Sequence, residues 1–243
     1  MRAWWAQSVA EVRMTLRRGE TLLLTLGIPV LLLVFFSQTH VTAAPAGGRI
    51  NFIAPGILAL CVLSTSLVAL SIATGFERSY GVLRRLHVTP LGRRRLIGAK
   101  ITSVLVTQII QVTVLGLVAM ALHWHPRGGA SGAGQVVAAL VLGSAGCAGV
   151  GLLLAGRLRA EVNLAAANGL YLVLLLISGI VVPLSSLPSA LGRLALYLPP
   201  GAMAQAVHQV LGQGTAAGAS LWWTLVVWAV AAPLLAARSF RFD

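Results

Sequence analysis

Seven of the eighteen basic residues of this chain fall between Glu77 and Lys100: Arg78, Arg84, Arg85, Arg93, Arg94, Arg95 and Lys100. On a soluble protein a net charge of +13 would point to nucleic acid. The surroundings of this block exclude that reading. A long apolar run precedes it and another follows, and the arginines gather at the ends of apolar stretches instead of interleaving with stacking aromatics. Charged residues make up 9% of the chain and apolar ones 58%, with a mean hydropathy of +0.89, whereas about a quarter of a soluble domain is charged. The composition is that of one integral membrane domain. An arginine in hydrocarbon costs roughly 2.5–3.5 kcal/mol or more, so the block must lie in water at a membrane surface.

The remaining chemistry is sparse. The apolar stretches contain no Asp, Glu, Lys, Arg or His. Proton- or sodium-driven transporters use intramembrane carboxylates, histidines or broken helices, and voltage sensors use intramembrane arginines. If this chain moves a solute uphill, the energy enters from elsewhere. It does not enter through a nucleotide site in the chain. The single lysine, Lys100, follows Ala99 rather than Gly, so there is no phosphate-binding G-x-x-x-x-G-K-[ST] loop. Gly212 to Ala217 follows no strand and reads as a connector. His123 and His125 flank Trp124 with no carboxylate or cysteine nearby, so no metal site is expected. Cys61 and Cys147 sit inside apolar runs and read as small buried residues. No catalytic residues are expected, and the chain binds no cofactor of its own. Mild polar residues remain. Gln108 and Gln111 share one helical face, and Asn168 lies further on. These three are candidates for a substrate path, with interhelical hydrogen bonds as the competing role. Ser64, Thr65 and Ser66 form another polar patch. Gly143, Cys147 and Gly151 repeat every four residues and predict close helix packing.

The elements that hold these residues follow from apolar length. About 20 residues of helix cross ~30 Å of hydrocarbon. Six spans are expected, at about Thr21–Phe36, Phe52–Phe76, Ile101–Leu122, Val136–Ala155, Leu164–Val182 and Leu221–Ala237. Residues 1–20 are too charged to span. Trp5, Val9, Val12 and Leu16 share one face, which predicts an amphipathic interfacial helix ahead of the 21–243 six-span membrane domain. A signal peptide is the competing reading of this start, but the later spans anchor the chain in either case. Between spans 5 and 6, Pro183–Ser220 is too long for a turn. Leu187, Leu191, Leu194 and Leu198 mark one short helix, Pro199–Pro200 break it, and Met203, Val207, Val210 and Leu211 mark a second. Together they predict a re-entrant hairpin on the outer side. Fifteen Lys and Arg fall on the side of the termini and of the block, against Arg49, Arg127 and Arg193 on the other. That asymmetry predicts both termini in the cytoplasm.

Within the block, Val82, Leu83 and Leu86 would share one face of a short helix, with Arg84 and Arg85 turned away. Pro90 ends it by disfavouring helix at Thr89. Such a helix, tied to spans 2 and 3, is a mechanical handle. A loop on anionic lipid is the plainer alternative. Glu77, where the block meets span 2, is expected to fix that junction by pairing with a nearby arginine.

The block resembles the E-R-x-x-G-x-L-x-R-L-x-x-T-P-L-x-R pattern of type-2 ABC exporter permeases, the group that includes daunorubicin-resistance, nodulation and polysaccharide-export membrane subunits. Glu77, Arg78, Gly81, Leu83, Arg85, Leu86, Thr89, Pro90, Leu91, Arg93, Leu96 and Lys100 match it. A second family feature appears as Pro183-Leu184-Ser185-Ser186-Leu187-Pro188. The resemblance covers essentially the whole chain. It implies an all-α permease with six transmembrane helices, in a bacterial cytoplasmic membrane, whose coupling helix seats in a cytosolic ABC ATPase. Glu77, Arg78, Gly81, Leu83, Arg84, Arg85, Leu86, Thr89 and Pro90 would form that coupling element. ATP and Mg would be held by two ATPase copies, and a second permease subunit would complete the unit. The implied activity is export of an amphipathic or hydrophobic substrate such as a drug or lipid, or else of haem or a glycan. A membrane anchor or assembly factor without transport is the alternative from another class. Ser79, Arg84 and Arg95 stand where the family often has acids, which makes the presented surface unusually basic.

Overall fold

A computed structural model of the chain describes residues 19–38, 49–82 and 92–240. The expected interfacial helix at the start lies almost wholly outside these residues, as does most of the connection between expected spans 1 and 2. The described residues are all helix and connector, with no strand among them. In order they form α1 (Gly19–Gln38), α2 (Arg49–Leu63), a π-helical segment (Ser64–Ala69), α3 (Leu70–Ser79), α4 (Gly92–Ala121), α5 (Gly129–Ala155), α6 (Ala160–Ile177), a 3₁₀ turn (Leu184–Ser186), α7 (Ser189–Leu196), α8 (Pro199–Val207), a second π-helical segment (His208–Gln213) and α9 (Ala219–Ser239).

Among the described residues, five helical stretches are long and apolar enough to cross a membrane: Ile50–Ser79, Arg95–Ala121, Gly129–Ala155, Ala160–Ile177 and Ala219–Ser239. The apolar part of α1, Thr25–Gln38, is shorter. Two expected boundaries move. Span 3 begins well before Ile101, because α4 starts at Gly92 and runs for 30 residues. At 1.5 Å per residue that is about 45 Å, well beyond the ~30 Å of hydrocarbon, so the Arg93–Arg95 turn sits at an end that projects past it. Span 5 ends at Ile177 rather than Val182, because Gly179 turns the chain in the left-handed region at φ 76°.

The core gathers around α5. Its glycines admit three close neighbours, two of them backbone and one a side chain. A Cβ on Gly149 would stand 2.5 Å from Pro233 N in α9, and one on Gly151 would stand 2.7 Å from the Leu67 carbonyl of the first π segment. At Gly143 it would meet Met203 Sδ of α8 at 2.5 Å. The expected stripe therefore does pack closely, but onto several partners, and Gly146 and Gly149 add a second row against α9. In lipid no hydrophobic force draws helices together, so this close backbone approach supplies dispersion where burial from water cannot. The Pro199–Pro200 pair opens α8, where proline loses no helical hydrogen bond. Nearly all of α8 is buried, while α7 keeps Leu191 and Leu194 exposed.

Candidate functional site

The end of α3 is built by Gly81. Its φ of 71° is the left-handed turn that stops a helix, and its N–H bonds to the Arg78 carbonyl at 3.0 Å. No neighbour lies within 4 Å of a Cβ built there, so backbone conformation rather than space asks for glycine. One turn earlier, Glu77 accepts a hydrogen bond from Lys100 Nζ at 2.5 Å. Lys100 is buried at 2% exposure and Glu77 is at 22%. On the same two helices Leu70, Leu96, Ile97 and Val104 join Ala148, Leu152 and Phe240 in an apolar cluster. A buried ammonium is tolerable only when paired, so this bond fixes α3 to α4. The described partner of Glu77 is thus the chain's lysine, not an arginine. Next to it, Arg78 donates to the Leu158 carbonyl at 2.5 Å, in the turn between α5 and α6.

A third attachment lies two turns up α3. Ser71 Oγ donates to Asn163 Oδ1 at 2.8 Å, and Asn163 Nδ2 donates back to the Ser71 carbonyl at 2.9 Å. Both side chains are fully buried. Gly75 faces the same amide, and a Cβ there would stand 2.6 Å from Asn163 Nδ2. Asn163 and Ser71 were missed by sequence reasoning. Asn163 sits next to the basic turn and just before the expected start of span 5, but α6 begins earlier, at Ala160, which carries it into the helix. A small residue at Gly75 was the one signal, and it needs the neighbour to be interpreted.

Gln108 and Gln111 come together at the first π segment. Gln108 Nε2 donates to the Val62 carbonyl at 3.2 Å, which also accepts Ser66 Oγ at 2.6 Å. Gln111 accepts from Thr65 Oγ1 at 3.0 Å and donates to the Thr25 carbonyl of α1 at 3.3 Å. A π-helical turn disturbs the i→i+4 ladder, and side chains that reach its backbone hold the disturbed register. Asn168 is exposed and bonds to the Leu164 carbonyl of its own helix, away from the two glutamines. Leu83, Arg84, Arg85, Leu86, Thr89 and Pro90 lie outside the described residues.

The arrangement is a junction, not a reaction centre. It binds the two helices that flank residues 83–91 to each other and to the α5–α6 turn. The family model for the ABC-2 type transporter matches residues 2–211. The chain belongs to the ABC-2 type transporter family. No curated protein matches it. As a type-2 ABC permease it is a multi-pass membrane subunit, and permeases of this family work with an ATPase partner in a lipid membrane. The permease domain is not itself catalytic.

Proposed function

We propose that this permease is the transmembrane half of an ATP-driven exporter and that the segment between α3 and α4 is the coupling element that a separate cytosolic ATPase grips. The observation that carries this is the Glu77–Lys100 junction: the two helices entering and leaving that segment are tied at its base by an ion pair whose lysine is buried. In this reading α1 is the first of six spans, the Glu77 end faces the cytoplasm by the basic-residue asymmetry, and α7 and α8 form a re-entrant hairpin in the outer leaflet. Two ATPase copies with ATP and Mg and a second permease subunit complete the exporter, whose substrate is amphipathic or hydrophobic. Gln108 and Gln111 border the path through the π segment. The test is affinity purification of the tagged permease from its native membrane in mild detergent. An ATPase with a phosphate-binding loop should accompany it, and the isolated chain should bind no ATP. Recovery of the chain without any ATPase from membranes that contain both contradicts the reading.

A further inference from the structure

Span 2 and α4 are bonded at two levels. Glu77 and Lys100 join them at the base, and Gln108 and Gln111 reach Val62 and Thr65 several turns above. The two helices therefore form one hairpin tied at both levels. The tie from this hairpin to α6 is different. Its polar bonds sit at the base, where Asn163 exchanges two hydrogen bonds with Ser71 and packs on Gly75, and higher up the contact is apolar. Further along, α6 turns Leu172, Val173 and Leu176 outward, each more than half exposed. The opposite face of that half packs on the core through apolar side chains, Leu170, Tyr171 and Leu174 among them. A helix clasped by directional bonds at one end and held by apolar contact along the rest can tilt about the clasped end.

We propose that Asn163 is a positioning residue that hands movement of the α2–α4 hairpin on to α6, so that a push on the segment 83–91 reaches a third helix. This rests on the coupling role proposed above. Hydrogen bonds suit the task better than apolar contact. Lipid is as apolar as leucine and gives a greasy contact no preference for its partner, whereas a reciprocal amide–hydroxyl pair has one satisfied geometry. Both groups are fully buried, so leaving either unpaired is costly, and the clasp holds while the helices move.

The experiment uses the permease with its ATPase partner in nanodiscs, spin-labelled pairwise at three exposed positions: Ile109 on α4, Leu172 on α6 and Val227 on α9. α9 is packed on the α5 backbone and serves as the reference. Labelled chain is diluted with unlabelled chain so that distances within one subunit dominate. A non-hydrolysable ATP analogue should shift both the 109–227 and the 172–227 distances in the otherwise unaltered protein. With Asn163→Ala the 109–227 shift should persist and the 172–227 shift should be lost. Gly75→Ala removes no polar group and only displaces the Asn163 amide. It should lose the same shift, and the double variant should lose nothing more. Retention of the full 172–227 shift in either variant overturns the proposal. Absence of both shifts in the unsubstituted complex overturns the coupling reading and this proposal with it.

Discussion

Two regions of this permease are held together by opposite means. Around α5, glycines bring backbones into direct contact and few polar groups take part. At the base of span 2, an ion pair, an arginine–carbonyl bond and an amide–hydroxyl clasp join four neighbouring segments within three turns of helix. In water the first kind of contact would dominate stability. In lipid it gains only packing, so it needs close approach along a whole helix, and it resists sliding poorly unless backbone meets backbone. The second kind is local and directional. The contrast separates a static pillar, α5 with α9, from a linkage that can carry force.

The largest effect is expected at the linkage. Glu77→Ala removes the carboxylate from buried Lys100; breaking one side of a fully buried pair costs about 3–5 kcal/mol, which is the upper bound here because Glu77 is partly exposed. The thermal unfolding temperature in detergent should fall more for this variant than for any other single change named here. Neutralising both members, with Glu77→Gln and Lys100→Met, should recover much of the loss. If Glu77→Ala unfolds at the unsubstituted temperature, the base is not held as described.

The pillar comes next. Gly149→Ala puts a methyl group against Pro233 N and Ala232, where the obstacle is backbone and no side chain can swing aside. Overpacking of this kind costs about 1–3 kcal/mol. Gly116→Ala, with nothing within 4 Å of its Cβ, is the control that should not destabilise. Equal melting of the two variants contradicts the packing account.

Gln111→Leu tests the polar core and should be smaller, about 0.6–2 kcal/mol for an interhelical bond in lipid. Asn168→Ala, which frees one carbonyl of its own helix, should stay within about 0.5 kcal/mol. A larger loss for Asn168→Ala than for Gln111→Leu, measured by the same unfolding assay, reverses the order drawn from the geometry.

Much of this was legible in the sequence. Five of the spans follow from apolar length, and the division of 189–207 into two short helices follows from leucine spacing and the Pro199–Pro200 break. Gly81 and the glycines of α5 were visible as small residues, and their reasons became clear only with φ and a neighbour in place. Three features were hidden for physical reasons. The start of α4 moved because a helix can carry arginine out of the membrane without ending, so charge marks the water boundary and not the helix boundary. The π segment leaves no mark, since its residues read as an ordinary apolar run with three hydroxyls. Asn163 was hidden because a buried asparagine next to a basic turn has the same composition as a loop. Its partner lies 92 positions away in the chain, and only tertiary structure joins them.

The central claim is that force from an ATPase enters this permease between α3 and α4. The most direct test substitutes Leu83 and Leu86 in that segment, alone and together, alongside Arg84→Ala, and measures the ATPase recovered per permease and the ATP hydrolysis of the reconstituted complex. Burying a leucine is worth about 1.5–3 kcal/mol, an exposed ion pair about 0–1 kcal/mol. Leu86→Ala should therefore lose more ATPase than Arg84→Ala, and the loss with Arg84→Ala should shrink in high salt as screening removes its contribution. If Leu83→Ala with Leu86→Ala retains a full complement of ATPase and unaltered hydrolysis, the motor does not grip here and the account is wrong at its centre.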